Sequence, residues 1–221
     1  MKKKKKKRKL KNVAFVFLAL MVLGIVVFSL SLIKVRGYYV LGNNYLDEES
    51  ILKECKLDNS SSYLFTQTFL VNRKCKNNKL IKEVNVDHTN TLEIKVTITE
   101  YKILFKEGKY SVIETGKKIE DNNDNAPVLI NEVENKEVYA NFIKKMNKVD
   151  NEILSIISEI KYDPNDVDDE RFLITMNDGN MVYITLSKIT KVNSYPSIIK
   201  TVENRKGILY LDYGNYFVPI E

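Results

Sequence analysis

The chain is poor in the side chains on which most enzyme chemistry depends. It has one histidine, His88, and two cysteines, Cys55 and Cys75, in 221 residues. His88 sits beside a turn, and no motif brings a serine or cysteine nucleophile within its reach, so it reads as a solvated turn residue rather than a general base. The eight glycines fall mainly in turns and build no phosphate-binding loop. Carboxylates gather in DPNDVDDE, residues 163–170. That stretch lacks the glycine and the Asp/Asn spacing of a calcium loop and reads as a solvated acidic loop. Glu93 and Glu100 lie an odd interval apart, on opposite faces of a strand, which excludes a glycosidase pair. These residues imply no catalytic group, no metal site and no cofactor.

Acidic residues are absent from the first 36 positions, which hold eleven of the 35 lysines and arginines. The remainder carries 24 basic against 29 acidic side chains, so the pI near 9.0 belongs to one end of the chain. A nucleic-acid partner needs a basic patch on the folded surface, and this distribution argues against one. A membrane segment accounts for the lysines better. Val13 to Ile33 runs without a charge, long enough for a hydrocarbon core of about 30 Å. The competing reading is a cleaved signal peptide, with SLS at 29–31 as a weak cleavage site, but the apolar stretch is longer than such signals use. Nine basic residues precede the span, and only Lys34 and Arg36 follow it closely. The positive-inside rule puts residues 1–12 in the cytoplasm as a basic tail drawn to anionic lipid, and everything after Ile33 outside.

Residues 34–100 alternate between two periods. A short strand ends at Val40, Gly42-Asn43 turns the chain, and Asp47 caps a helix carrying Ile51, Leu52 and Cys55. A second helix covers about Thr66 to Lys76. Then come two strands joined at His88 to Asn90, the second with Leu92, Ile94, Val96 and Ile98 alternating against polar residues. A three-stranded sheet covered by two helices is the simplest core for this order. Cys55 and Cys75 each share an inward helical face with an apolar residue four positions earlier, Ile51 and Val71. Two buried thiols, a disulfide between packed helices and a metal site all remain open, with the apolar pattern favouring thiols.

Residues 101–221 form a second α+β unit. YKILF and KYSVIE flank Glu107-Gly108 as a hairpin. Val138, Phe142, Ile143, Met146 and Val149 follow a helix face. RFLITM and MVYITL flank Asn177 to Asn180, where Asp178-Gly179 supplies the positive φ of a hairpin turn. That hairpin reads as sheet scaffold without chemistry of its own. A polar helical stretch around Ser197 to Glu203 leads to a strand from Ile208 to Asp212 and an extension from Tyr216 to Ile220.

The residues YVLGNN, LDEESIL, IKEVNV and LEIKVTITE resemble a POTRA domain (βααββ), in which a V-x-G-N turn precedes the first helix. With ISEIKYDPN (157–165), MNDGNMVYI (176–184), YPSI (195–198) and GILYLDYGNYFVP (207–219), the chain resembles the DivIB/FtsQ family of bacterial cell-division proteins. The expected architecture is one transmembrane helix (13–33), a POTRA-like domain (34–100) and a β-rich domain with an antiparallel-dominated sheet (101–221). The resemblance implies a non-catalytic scaffold at the division septum that binds small bitopic partners of the FtsL and DivIC/FtsB type and helps to control septal peptidoglycan synthesis.

The end of the chain, rich in β-branched and aromatic residues, is the best candidate for binding, since a terminal strand at a sheet edge would offer unpaired N–H and C=O groups to an incoming strand. The family resemblance implies that the partner site lies there. Tyr210, Tyr213, Tyr216 and Phe217 would anchor it. The competing reading has these aromatics close the domain's own core. A second function class is an extracytoplasmic POTRA-type chaperone or export component that binds extended polypeptides at the sheet edge of Val84 to Glu100. A third is a surface-anchored hydrolase.

Overall fold

A computed structural model describes residues 2–120, 125–203 and 205–220, with side chains from Asn12 onward, and the chain divides into two compact units, Met1–Glu100 and Tyr101–Glu221. The side chains of the lysine run, and with them the expected contact to anionic lipid, lie outside the described residues, as does Glu221.

The first unit opens with α1, Lys2–Ser31, within which Asn12–Ser31 is long and apolar enough to cross a membrane. The helix stops two residues short of the expected Ile33. Leu32 and Ile33 donate instead to the carbonyls of Ser29 and Leu30, a tightened last turn. Next comes β1, Gly37–Leu41. Gly42 then turns the chain at φ +81°, where an added Cβ would lie 2.4 Å from the Ile98 carbonyl oxygen, so only glycine fits. Helix α2, Glu48–Glu54, starts where the Asp47 side chain accepts from the Ser50 N–H at 2.8 Å. Helix α3 spans Thr68–Cys75, β2 Ile81–His88 and β3 Glu93–Glu100.

The strands lie in the order β1-β3-β2, with β1 parallel and β2 antiparallel to the central β3. Ile94, Val96 and Ile98 of β3 point into the core against Ile51, Val71 and Val84, as their alternation requires. Leu92 departs from that alternation: it occupies the turn with φ +62°. Glu100 is structural, since its carboxylate accepts from the N–H groups of Asn44, Tyr45 and Leu46 and holds the loop before α2. Glu93 accepts from the Tyr39 and Thr91 hydroxyls.

Cys55, the C-cap of α2, and Cys75, the last residue of α3, are joined in a disulfide inside this core. The inward placement of both was correctly legible, and the preference for free thiols is corrected. The two inward faces converge at the C-terminal ends of their helices, where the sulfurs meet. A cross-link over a sequence separation of 20 removes unfolded-state entropy worth about 3 kcal/mol. The Cys55→Ser/Cys75→Ser double variant is therefore expected to lower the denaturation midpoint of the first unit by that amount, read by urea titration. An unchanged midpoint would contradict it.

The second unit contains β4 (Ile103–Glu107), β5 (Tyr110–Ile113), β6 (Lys118–Glu120), β7 (Val128–Leu129), α4 (Lys136–Met146), α5 (Asn151–Leu154), β8 (Ile157–Tyr162), β9 (Arg171–Met176) and β10 (Met181–Thr185). A 3-10 helix, Leu186–Ser194, follows, then α6 (Tyr195–Thr201), β11 (Gly207–Tyr210) and β12 (Tyr216–Pro219). Among the described residues these nine strands form one sheet in the order β12-β11-β10-β9-β8-β7-β4-β5-β6. Pairing is mostly antiparallel, and β7 runs parallel to both neighbours and β11 parallel to β10. That last step is a crossover, and the 3-10 helix and α6 fill it. One sheet face is buried, with Phe172, Ile174, Val182, Ile184 and Leu209 in the same core as Val138, Phe142 and Met146 of α4 and Leu186, Ile189 and Val192 of the 3-10 helix. Asn135 caps α4, accepting from the N–H of Glu137. The other face of β9 to β12 carries residues that are half-buried or exposed.

Candidate functional site

The hairpin turn of MNDGNMVYI is more than scaffold. Gly179 adopts φ +86°, as the turn requires. The neighbouring Asn180 is fully buried. Its Oδ1 accepts from the Gly207 N–H at 2.7 Å, and its Nδ2 donates to the Tyr195 hydroxyl at 2.9 Å and to Asp178 Oδ2 at 3.0 Å. The Tyr195 hydroxyl in turn donates to Asp178 Oδ2 at 2.7 Å, and Lys206 Nζ reaches the Asp178 carbonyl. Because Gly207 can only donate, the amide of Asn180 must face it with oxygen. Three separate landmarks, the turn, YPSI and GILYLDYG, thus meet at one node that seats the start of β11. Burial pushes the Asp178 carboxyl up, yet the bonds from Asn180 and Tyr195 and the charge of Lys206 outweigh it and hold the group below the usual range. Burial and the bond to Asp178 push the Tyr195 hydroxyl well up.

The open face of the same strands carries an aromatic ladder. The Arg171 guanidinium lies 3.7 Å above the Tyr183 ring, Tyr183 stacks on Tyr210 at 5.3 Å, and Tyr210 stacks on Tyr216 at 4.7 Å. Arg171 is itself held by Asp212 (3.0 Å) and Asp163 (2.8 Å). Burial disfavours its charge, but the bond to the buried Asp212 wins and raises its pKa. The acidic loop after β8 is thereby accounted for locally: Asp163 pairs with Arg171 and Lys161, while Asn165 and Asp168 accept from backbone N–H groups of the same loop. The strand expected over Ile208 to Asp212 ends at Tyr210, because Asp212 turns inward to Arg171.

Strand β12 is an edge strand, paired with β11 alone among the described residues. The Ile220 N–H donates to the Lys206 carbonyl, and Val218 and Tyr216 lie opposite Ile208 and Tyr210. By the alternation of an antiparallel ladder, the even-numbered residues bond to β11 and the odd-numbered ones turn their backbone groups outward. The open edge therefore offers the N–H and C=O of Phe217 and the C=O of Pro219, which has no N–H to offer. That placement is the one a sheet allows to proline.

The four aromatics expected as anchors are divided by this geometry. Tyr210 and Tyr216 meet on the open face, and Tyr216 is 52% exposed. Tyr213 is exposed in the loop between β11 and β12. Phe217 points the other way and packs against the core. On that side a cleft of about 460 Å³ opens between β11-β12 and α6, lined among others by Ile198, Val202, Leu209 and Phe217. The competing reading, aromatics that close the core, holds for Phe217 and not for Tyr213 or Tyr216.

Gly207, Asn180 and Arg171 were missed by sequence reasoning. A glycine opening a strand does signal a close backbone approach, and an added Cβ at Gly207 would lie 2.3 Å from the Val218 carbonyl oxygen. In the first unit, the proposed polypeptide-binding edge divides differently. Strand β3 is central, and the outer groups of β2 are already taken: Asn72 bonds both N–H and C=O of Val84, and Thr68 accepts from the Val86 N–H. His88 is exposed, and its Nε2 lies 2.8 Å from the Tyr63 carbonyl oxygen.

Among the described residues one apolar helix precedes a strand-helix-helix-strand-strand unit with a disulfide and a nine-stranded sheet with an open edge. The family model "POTRA domain, FtsQ-type" matches residues 34–101, so the first folded unit is a POTRA domain of the FtsQ type. The chain is similar along most of its length to proteins named cell division protein DivIB. That of Bacillus anthracis is 31% identical over 97% of this chain and 85% of its own length. That of Listeria monocytogenes is 28% identical over 98% and 83%, and that of Bacillus subtilis 28% over 90% and 79%. The chain belongs to the DivIB family of cell-division proteins.

Proposed function

We propose that this division protein is a non-catalytic, membrane-anchored scaffold that works at the septum by capturing small bitopic partners on β12. The basic N-terminus lies in the cytoplasm and both folded units lie outside. Partners of the FtsL and DivIC/FtsB type add a strand to the open edge, and the assembly helps to control septal peptidoglycan synthesis. The observation that carries this reading is the edge itself. It has free backbone groups at Phe217 and Pro219, an exposed Tyr216, and a rigid backing formed by the Tyr183-Tyr210-Tyr216 stack. Stacked aromatics lose little freedom on binding, which favours capture. The chaperone alternative draws no comparable support from β2, whose outer edge is satisfied at Val84 and Val86.

Replacement of Tyr216 by lysine is expected to weaken partner capture about tenfold or more while costing the second unit only the stack on Tyr210, about 1 kcal/mol, and deletion of residues 213–221 to abolish it. A photo-reactive phenylalanine at Val218 should cross-link to a small membrane protein in dividing cells. Full capture by a folded deletion variant would defeat the edge reading.

A further inference from the structure

The loop after α2 is fastened to the point where the chain leaves α1. Tyr63 N–H donates to the Ile33 carbonyl, Val35 N–H donates to the Ser61 carbonyl, and Lys34 bridges Ser62. These bonds tie residues 61–63 to Ile33, Lys34 and Val35, just past the end of the apolar helix. The 20 residues of Asn12–Ser31 span about 30 Å, the full hydrocarbon thickness, so with that helix crossing the bilayer as proposed above, residues 61–63 come to headgroup level.

Beyond them comes a surface that does not suit water. Leu64 and Leu70 are about one-third exposed, Phe65 is 50% exposed and Phe69 is 73% exposed. Phe65 follows Ser62 by three residues, and the Thr66 N–H bonds back to the Ser62 carbonyl, so the chain between them is a single turn. Val71 and Cys75 of α3 face the core. At 100° per residue, Phe69 and Arg73 therefore project directly away from it, with Leu70 and Lys74 beside them. Phe65, Leu70, Arg73 and Lys74 line one shallow concavity together with Lys56. The nearby acids are engaged elsewhere: Glu54 accepts from Asn78, and Asp58 accepts from Ser60.

We propose that this face of the POTRA domain is a membrane-contact surface, with Phe65 and Phe69 inserted among the acyl-chain boundary of the bilayer and Arg73, Lys74 and Lys56 on anionic phospholipid headgroups. Exposed aromatic side chains beside cations, held at headgroup height by backbone hydrogen bonds to the anchor, match what an interfacial lipid layer recognises. The domain then stands on the membrane at two points, the helix and this patch.

The chain contains no tryptophan, so a single introduced one reports its own surroundings. Full-length Phe65→Trp and Phe69→Trp variants, confirmed as folded by circular dichroism, would be placed in nanodiscs of phosphatidylglycerol and phosphatidylcholine with brominated acyl chains. Both tryptophans are expected to emit to the blue and to be quenched about twofold or more, consistent with burial at the headgroup boundary. Leu41→Trp, at the far end of β1 and about half exposed, should stay unquenched. Adding Arg73→Glu and Lys74→Glu to Phe69→Trp should abolish the quenching in these discs. Unquenched emission at positions 65 and 69 would overturn the proposal. A blue shift without bromine quenching would also overturn it, since a protein and not lipid would then cover the rings. Quenching that ignores both the charge reversals and the phosphatidylglycerol content would overturn the headgroup assignment.

Discussion

Gly207→Val is expected to lift β12 from the sheet while the rest of the second unit stays folded. Gly207 has an ordinary negative φ, so what it supplies is space. A Cβ there would sit 2.3 Å from the Val218 carbonyl oxygen and 2.5 Å from the Phe217 ring. The ring could swing aside, but the carbonyl is backbone and moves only with its strand. Overpacking of this kind costs about 1–3 kcal/mol. Against it stand four paired residues, the Phe217 contact and one aromatic stack. Hydrogen exchange separates local from global loss. The Ile220 amide, bonded to Lys206 across β11-β12, should exchange about 100-fold faster, equivalent to roughly 2.7 kcal/mol. The Leu211 amide, bonded to Tyr183 across β10-β11, should keep its protection. Partner capture should fall in step with Ile220. Retained protection at Ile220 would show that the strand tolerates the wedge.

Asn180→Leu should destabilise the second unit by about 3 kcal/mol, because it strands the buried Gly207 N–H and removes two bonds from the Asp178-Tyr195 pair. That corresponds to roughly 10 °C in thermal midpoint for a unit of this size. Tyr195→Phe removes one hydroxyl and leaves the Gly207 bond intact, so it should cost about half as much. Equal losses in the two variants would mean that the node does not hold β11. The node also sets a pH dependence. The depressed Asp178 pKa contributes stability that is present above its unfolded value and lost as pH falls through the folded value. The raised Tyr195 pKa contributes stability present below pH 10, lost as pH rises through the folded value. The acid arm should flatten in Asn180→Leu, which removes a bond that holds the Asp178 carboxylate down. The alkaline arm should persist, since burial and the bond to Asp178 raise Tyr195 and the Asn180 bond opposes them, as read by melting curves across pH.

Much of the fold was legible because local signals and tertiary structure agree. Asp47 caps its helix, Gly42 turns the chain, and the alternation of Ile94, Val96 and Ile98 marks the buried face of β3. The 3-10 helix was not legible, since its buried Leu186, Ile189 and Val192 recur every three residues, between the strand and α-helix periods. The disulfide was undecided for a different reason: an inward i,i+4 pattern locates a face and says nothing about which other face it meets. At the candidate site, the aromatics signalled an edge, but alternation along β12 splits them between two sides. Asn180 was hidden because Asp178-Gly179 already explained the turn.

Pro219 has a consequence for crowding. In the proposed role, a membrane anchor would confine many copies of the chain to two dimensions, and a septum would concentrate them further. Open strand edges brought together at high density invite self-propagating sheets. Two β12 edges set against each other would have one outward N–H each, from Phe217, with the neighbouring ladder position left without a donor. Such a ladder ends almost as soon as it begins. A foreign strand that brings its own donors to the Phe217 and Pro219 carbonyls meets no such shortage, so the missing proton lets dense packing coexist with selective pairing.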